Sequence, residues 1–167
     1  MSGELEISAA KERDVPIILD FIRKLAAYEK LSHEVRATED LLRETLFGDH
    51  PMAEVLLAHW SGEAAGFAVY FRNFSTFLAR PGIYLEDIFV EPTFRGRGIG
   101  KALLARVANI AVQRGCGRLN WAVLDWNRPA IDFYRSLGAV PLGDWTVFRL
   151  TGDSLMRLAE PGKDGPL

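Results

Sequence analysis

The sequence predicts a single α/β domain in which strands and helices share one core. Apolar residues recur every three to four positions over 14–27, which is typical of a helix, and form short runs over 53–60 and 64–71, which are typical of strands. A chain of 167 residues, 49% hydrophobic and 25% charged, is long enough for one domain with a sizeable core. We therefore expect one domain over residues 1–159 and a disordered tail, rich in Pro and Gly, over 160–167.

The first half of the chain predicts a strand, two helices and a hairpin. Residues 4–8 form the strand and 14–27 the first helix. Thr38 is a suitable cap for a second helix that ends near Gly48. The runs over 53–60 and 64–71 are joined by Ser61-Gly62-Glu63, which indicates a tight hairpin.

The second half predicts a strand over 82–90, a helix over 98–114 and a strand over 118–123. A short helix follows over 127–137, with Asn127 as its N-cap and Gly138 just past its end. Val140 and residues 145–150 then supply two closing strands. The predicted order is β-α-α-β-β-β-α-β-α-β-β.

Three glycines lie where the strand over 82–90 turns into the following helix. Gly96, Gly98 and Gly100 permit positive φ and close approach to the backbone. A helix N-terminus presents unpaired N–H groups and the positive end of the helix dipole, so it binds phosphate readily. With Arg95, Arg97 and Lys101 nearby, the segment predicts a diphosphate site, although a glycine-rich helix start with solubilising arginines would look similar.

Two common phosphate loops do not fit this segment. The dinucleotide-binding fingerprint would need glycine at position 101, which is Lys101. The P-loop would need glycine at 95 and Ser or Thr at 102, where the chain has Arg95 and Ala102. The sequence therefore supports neither nicotinamide nor nucleotide-hydrolysis chemistry.

Tyr134 lies on the apolar stripe of the short helix, together with Ala130, Phe133 and Leu137. One interpretation is a core tyrosine. The other is a functional phenol, because a buried hydroxyl needs a hydrogen-bond partner, and in a CoA enzyme that partner can be the thioester sulfur.

Two motifs together resemble the GNAT superfamily of N-acetyltransferases. The first is Arg95-x-x-Gly98-x-Gly100, and the second runs from Asn127-x-Pro129-Ala130 through Phe133-Tyr134 to Gly138. Segments 25–30, 47–51, 84–87 and 125–127 are similar to the diamine acetyltransferase branch, which holds the spermidine/spermine and thialysine enzymes. Segments 74–77 and 123–127 resemble the thialysine members more. The similarity extends from about Ile7 to about Leu150.

This resemblance implies a fold and an activity. The fold is a mixed, mostly antiparallel sheet of six to seven strands, flanked by four helices and splayed between strands 4 and 5. The activity is transfer of the acetyl group of acetyl-CoA to a primary amine of a small cationic acceptor, such as a polyamine, thialysine or a related amino acid, directly in a ternary complex. Members form homodimers, for which Trp145, Val147 and Phe148 could supply the interface, although the same residues would serve a monomer's core.

The resemblance also implies roles for particular residues. Strand alternation places Tyr84, Glu86 and Ile88 on one face and Leu85, Asp87 and Phe89 on the other. The family pattern makes Glu86 the inward acid, either as general base or as an anchor for the cationic acceptor, and makes Tyr134 the acid that protonates the CoA thiolate. The residues expected to bind acetyl-CoA are Ile88, Phe89, Val90, Arg95, Gly96, Arg97, Gly98, Ile99, Gly100, Lys101, Asn127, Pro129, Ala130, Tyr134 and Arg135. The residues expected to bind the acceptor are Tyr28, Glu29, Glu86, Asn120, Trp121 and Ala122.

Composition argues against several other classes of function. A net charge of −2 offers no basic face for nucleic acid or anionic membrane. The single Cys116 excludes an internal disulfide and fits a cytoplasmic protein, and the three histidines lack the spacing of metal ligands. We expect no secretion signal and no membrane span. Two alternatives stay open: acetylation of a protein lysine or N-terminus, and a CoA-binding sensor without catalysis.

Overall fold

The computed structural model describes residues 3–160, so most of the predicted tail lies outside the described residues. The chain divides into two compact units, Met1–Leu124 and Asp125–Leu167, which we describe separately. Among the described residues, no helix is both long enough and apolar enough to cross a membrane.

The first unit contains a five-stranded sheet in the order β1-β2-β3-β4-β5. Neighbouring strands are antiparallel, except that β5 runs parallel to β4. This confirms the predicted mixed, mostly antiparallel sheet, but with five strands rather than six to seven. The strands are β1 (Leu5–Ala9), β2 (Glu54–Trp60), β3 (Glu63–Ser75), β4 (Arg80–Val90) and β5 (Leu119–Trp121).

Three helices of the first unit pack on this sheet: α1 (Val15–Tyr28), α2 (Glu39–Phe47) and α3 (Ile99–Gln113). The predicted cap of α2 is present, since Thr38 accepts a hydrogen bond from the N–H of Leu41 at 3.2 Å. On the α1 side of the sheet, the Phe21 ring packs against those of Phe67 and Phe89, with centroid distances of 5.4 and 5.9 Å. This aromatic cluster fixes α1 over the first half of β3 and the end of β4.

A β-bulge interrupts strand β4 at Glu86. Val69 of β3 pairs with Asp87, whereas the next residue, Tyr70, pairs with Leu85, so Glu86 is the extra residue. The alternation predicted for this strand therefore holds from Asp87 to Phe89 and fails across Glu86. Because paired residues share a face and Phe89 lies on the α1 face, Asp87 lies on that face too. Tyr84 joins the same face, since it pairs with Phe71 and their ring centroids are 5.3 Å apart.

Strand β5 pairs with only part of β4. The register runs from Ile83 opposite Leu119 to Leu85 opposite Trp121 and stops there. Within residues 3–160, the last part of β4, residues 86–90, therefore has β3 on one side and no paired strand on the other. This opening lies between the fourth and fifth strands, where the splay was expected.

The second unit contains two helices, α4 (Arg128–Ser136) and α5 (Gly152–Ala159). The predicted ends of α4 are confirmed, because the Asn127 side chain accepts a hydrogen bond from the N–H of Ala130 at 3.4 Å and Gly138 has φ of +87°. Helix α5 was not predicted, so residues 3–160 contain five α-helices rather than four.

The two closing strands predicted at Val140 and over 145–150 do not form. Their apolar residues suit a strand, but a strand also needs a hydrogen-bonding neighbour, and among the described residues none pairs with this segment. Trp145, Val147 and Phe148 are instead 73%, 91% and 91% exposed. The segment has the apolar pattern of a strand, but the described part of this chain supplies no neighbouring strand to pair with it.

Candidate active site

The start of helix α3 is an open group of backbone donors. Gly96 and Gly98 have φ of +78° and +79°, a conformation that favours glycine, and no other group lies within 4 Å of the position of a Cβ on either residue. The first intrahelical bond runs from the N–H of Ala102 to the carbonyl oxygen of Gly98, at 3.0 Å, and no side chain at the N-cap accepts from the first turn. The N–H groups before Ala102 are thus free of helical partners and can receive a phosphate.

The cationic side chains around this turn lie in two different environments. The Arg95 Nε donates to the carbonyl oxygen of Val90 at 2.9 Å, and its guanidinium lies 5.0 Å from the ring centroid of Tyr28. Arg97 lies over Trp60, at 5.2 Å from the ring centroid. Both arginines are therefore held against aromatic rings, while Lys101 is exposed on the first turn of α3.

An acidic face lies earlier on strand β4, at the bulge. Glu86 is exposed, whereas Asp87 is half-buried and faces α1. Glu29 caps the C-terminal end of α1 and is close enough for its charge to act on Asp87. The strand register puts Asp87 on the face that α1 covers, and its electrostatic coupling to Glu29 indicates that acids from α1 and β4 lie close together.

The pKa values of these groups are shifted in the same direction. Burial raises the pKa of Asp87 to about 6, and the negative charges of Glu86 and Glu29 add to the effect. Burial also raises the pKa of Glu29, and the pKa of Tyr84 is raised by burial and by the charges of Glu86 and Asp87. This face favours a bound cation, because each acid disfavours the negative charge of its neighbour.

The other residues of the first unit that were predicted to bind the acceptor lie on α1 and β5. Tyr28 is the last residue of α1 and is 39% exposed. Asn120 and Trp121 belong to β5 and pair with Tyr84 and Leu85, and Ala122 directly follows that strand. The first unit therefore brings Tyr28 and Glu29 to the end of α1, next to the acidic face, and Asn120 and Trp121 to the strand beside it.

The remaining predicted residues lie in the second unit. Asn127 caps α4, and Pro129, Ala130, Tyr134 and Arg135 lie on that helix. The ring of Tyr134 packs against that of Phe133, with a centroid distance of 5.5 Å. Their contacts with acetyl-CoA stay predictions.

Asp87 is the residue that sequence reasoning undervalued. Alternation placed it with Phe89 on the face opposite Glu86 and Tyr84, and the bulge shows that Tyr84 shares the α1 face as well. The available signal was the presence of two adjacent acids in an otherwise apolar strand, which is unusual for a buried position.

The sequence and the fold of this chain are similar to those of several known proteins. The model of the "Acetyltransferase (GNAT) family" matches residues 19–139. The chain is 43% identical over 164 residues to the thialysine N-epsilon-acetyltransferase of Bos taurus, covering 92% of this chain and 96% of the relative. It is 34% identical over 197 residues to an L-ornithine N5-acetyltransferase of Arabidopsis thaliana, covering 91% and 86%. Among solved structures, an integron cassette protein from the mobile metagenome of V. cholerae superimposes with a TM-score of 0.78 and 30% identity, covering 96% of this chain and 99% of that one.

Proposed function

This chain belongs to the acetyltransferase (GNAT) family and is an acetyltransferase, and we propose that it transfers the acetyl group of acetyl-CoA directly to a primary amine of a small cationic acceptor. One observation carries the proposal: the acidic face at the β4 bulge and the open start of α3 belong to one continuous strand–turn–helix segment. An acidic face attracts a cationic amine, and an open helix start binds a diphosphate. Both substrates would then meet along β4, as direct transfer in a ternary complex requires.

Acetyl-CoA fits the residues around the open turn. The backbone N–H groups from Gly96 to Lys101 would hold its diphosphate, with the Lys101 ammonium as an added cation. The unpaired edge of β4 at Ile88–Val90 offers backbone groups to the pantetheine arm. Asn127, Pro129, Ala130 and Arg135 are proposed as further contacts on the basis of the family motif. When bound, the thioester supplies an activated acetyl group.

The acceptor that we favour is an amino acid with a side-chain amine. The relatives in cattle and Arabidopsis are named for thialysine and L-ornithine, and both names place the acetyl group on a side-chain nitrogen. In this chain, Tyr28 and Glu29 would line the acceptor site together with the acids of β4. A polyamine carries the same kind of primary amine, so it is the natural competitor in any test.

Two proton transfers accompany the reaction. The acceptor amine must lose a proton before it can attack, since an amine with a pKa of about 10 is mostly protonated at neutral pH. A carboxylate on β4 would receive that proton, and Glu86 is the family-implied choice. The departing thiolate gains a proton, for which Tyr134 is the proposed donor.

A homodimer is part of the proposal. The segment 140–150 has the composition of a strand, yet its apolar side chains are exposed, Val147 and Phe148 at 91% each. A contiguous exposed apolar surface is typical of a protein–protein interface. A second copy of the chain would bury these residues. The cytoplasmic location stays a prediction from the single cysteine.

Release of the CoA thiol from acetyl-CoA across a panel of amines tests the activity. The panel contains thialysine, L-ornithine, L-lysine, putrescine, spermidine, spermine and a lysine-bearing peptide, and Tyr134→Phe is the matched variant. We expect the fastest turnover on thialysine or L-ornithine. Tyr134→Phe should reduce that turnover by about 10²- to 10⁴-fold, the range for general acid catalysis, with little change in acetyl-CoA affinity.

The other outcomes would change the assignment. Turnover on the peptide alone would indicate a protein acceptor. Tight binding of acetyl-CoA without turnover on any amine would indicate a sensor. Equal loss of acetyl-CoA binding and turnover in Tyr134→Phe would make this tyrosine a packing residue of α4.

A further inference from the structure

We propose, resting on the acetyl transfer proposed above, that Arg95 is a positioning residue that couples the two substrate sites, so that each substrate binds more tightly when the other is bound. Its side chain packs on Tyr28, at the acceptor end of α1, and its backbone directly precedes Gly96, where the turn for the acetyl-CoA diphosphate begins. Arg95 thus acts on both substrates, beyond the contact with acetyl-CoA that the family motif implies for it.

The side chain of Arg95 lies on the α1 side of the sheet, although the turn leads to α3 on the other side. Its guanidinium carbon lies 5.0 Å from the ring centroid of Tyr28 and 5.7 Å from that of Phe89, which belongs to the α1 face. Helix α3 covers the opposite face, because Val90 alternates with Phe89 and a Cβ placed on Gly100 would lie 3.6 Å from the Val90 side chain. Arg95 therefore connects the turn to the helix on the far side of the sheet.

Two contacts fix the orientation of this guanidinium. Its Nε donates a hydrogen bond to the carbonyl oxygen of Val90 at 2.9 Å, and the same group lies over the Tyr28 ring. A planar guanidinium can make both contacts at once, whereas a lysine ammonium has no such fixed fork. Because Tyr28 is the last residue of α1 and Val90 the last of β4, Arg95 ties the ends of these two elements together.

Tyr28 lies where α1 ends, so tertiary contacts decide its position. Asp20, Lys24 and Tyr28 follow one stripe of the helix at spacings of four residues. Lys24 is held from two sides, since its Nζ lies 2.9 Å from an Asp20 carboxylate oxygen and 2.7 Å from one of Glu91. Tyr28 has helical neighbours on one side only, and a helix end frays more readily than its middle. The contact with Arg95 therefore stabilises the part of α1 that would line the acceptor site.

A bound diphosphate would act on Tyr28 through the turn. Gly96 and Gly98 are exposed, and among residues 3–160 no atom beyond the chain neighbours lies within 4 Å of a Cβ on either, so packing restrains this backbone little. Phosphate oxygens on the N–H groups of the turn would restrain it instead, together with the adjacent Arg95 and the ring on which Arg95 lies.

This restraint prepares the acceptor site before the acceptor arrives. An acceptor that meets an ordered end of α1 loses less conformational entropy on binding, so its affinity rises. Coupling between two binding sites is reciprocal. Bound acceptor should therefore tighten acetyl-CoA by the same factor.

Calorimetric titration of an acceptor with and without CoA measures the coupling. CoA has no acetyl group to transfer, so its ternary complex with thialysine or L-ornithine, whichever is the faster substrate, does not react. In the wild type, saturating CoA should lower the acceptor Kd by about fivefold, the size of a strong exposed cation–π contact. Arg95→Ala and Tyr28→Leu should each abolish this difference, and the double variant should change it no further. Tyr28→Phe keeps the ring and should keep the coupling.

Lys24→Ala is the matched control, since it removes a second contact between the same stripe of α1 and residues 91–95. It should keep the coupling, and thermal unfolding shows whether each variant is folded. In turnover at saturating acetyl-CoA, Arg95→Ala should raise the acceptor KM by about fivefold and change kcat less.

The opposite results would overturn the coupling role. An arginine that only contacts the diphosphate would weaken CoA binding when replaced by alanine and leave the effect of CoA on the acceptor Kd unchanged. Equal loss of coupling in Lys24→Ala, or wild-type turnover without any effect of CoA on the acceptor Kd, would also remove this role and leave the acetyl transfer intact. Absence of wild-type turnover on every amine would overturn the proposed function and the coupling together.

Discussion

At the scale of single residues, Asp87 places a carboxyl group where its charge should destabilise the folded chain. Its pKa is raised to about 6, so the folded state binds more protons than the unfolded state between the ordinary carboxyl value of 3.8 and about 6. Stability therefore falls as the pH rises through this window and stays low above it. The penalty is at most roughly 3 kcal/mol, since one pKa step corresponds to about 1.4 kcal/mol.

Asp87→Asn should accordingly stabilise the protein at about pH 8 and have little effect at about pH 3, where the wild-type carboxyl is mostly protonated in both states. Urea unfolding at the two pH values measures the difference. The exposed neighbour offers a control, because Glu86→Gln should change stability less than Asp87→Asn at about pH 8. An Asp87→Asn variant that is less stable at about pH 8 would show that the carboxylate has a stabilising partner.

Residues whose role is local were predictable from the sequence, and those whose role depends on pairing were not. The caps at Thr38 and Asn127 are confirmed because a cap depends on the next three residues alone. Whether Tyr84 and Asp87 share a face depends on the register between β3 and β4, and a one-residue bulge leaves no clear local mark. The catalytic roles of Glu86 and Tyr134 stay predictions.

At the scale of elements, the β4–α3 turn combines backbone strain with an open binding surface. Gly98→Ala should cost about 1–2 kcal/mol of stability, because its φ of +79° disfavours a side chain. It should also weaken acetyl-CoA binding by about tenfold or more, equivalent to about 1.4 kcal/mol, since the new methyl group would occupy the space beside the free N–H groups. Calorimetric titration with acetyl-CoA measures the affinity.

Gly62→Ala is the matched control for this variant. Gly62 also has positive φ, at +85°, and an equally open surrounding, but it lies in the β2–β3 hairpin. It should lose similar stability and keep its acetyl-CoA affinity. Equal affinity losses in both variants would mean that general destabilisation, rather than the turn itself, weakens binding.

At the scale of the whole molecule, the exposed segment 140–150 predicts self-association. Sedimentation of the wild type should show a dimer, and Phe148→Lys should shift it to a monomer, because a charge is costly in an apolar interface. Val112→Lys is the control, since Val112 is 76% exposed on α3 and lies outside the segment. A monomeric wild type, or equal dissociation in both variants, would contradict the proposed interface.

This segment also marks the limit of prediction from one sequence. The strand pattern around Trp145 and Val147 was read as two closing strands, whereas the described chain forms neither. Hydrophobic periodicity identifies residues that need burial, but it does not identify which chain buries them.

The bulge at Glu86 has a consequence for how such a site can change over evolution. Without Glu86, Asp87 would still lie opposite Val69 and Leu85 opposite Tyr70, now in an unbroken register, so Tyr84 and Leu85 would keep their faces. Deleting this one residue would therefore remove the bulge and one acid while leaving the neighbouring side chains of β4 on their present faces. Loss of one residue here is a short route to a less acidic face, while β3 and the start of α3 keep their places.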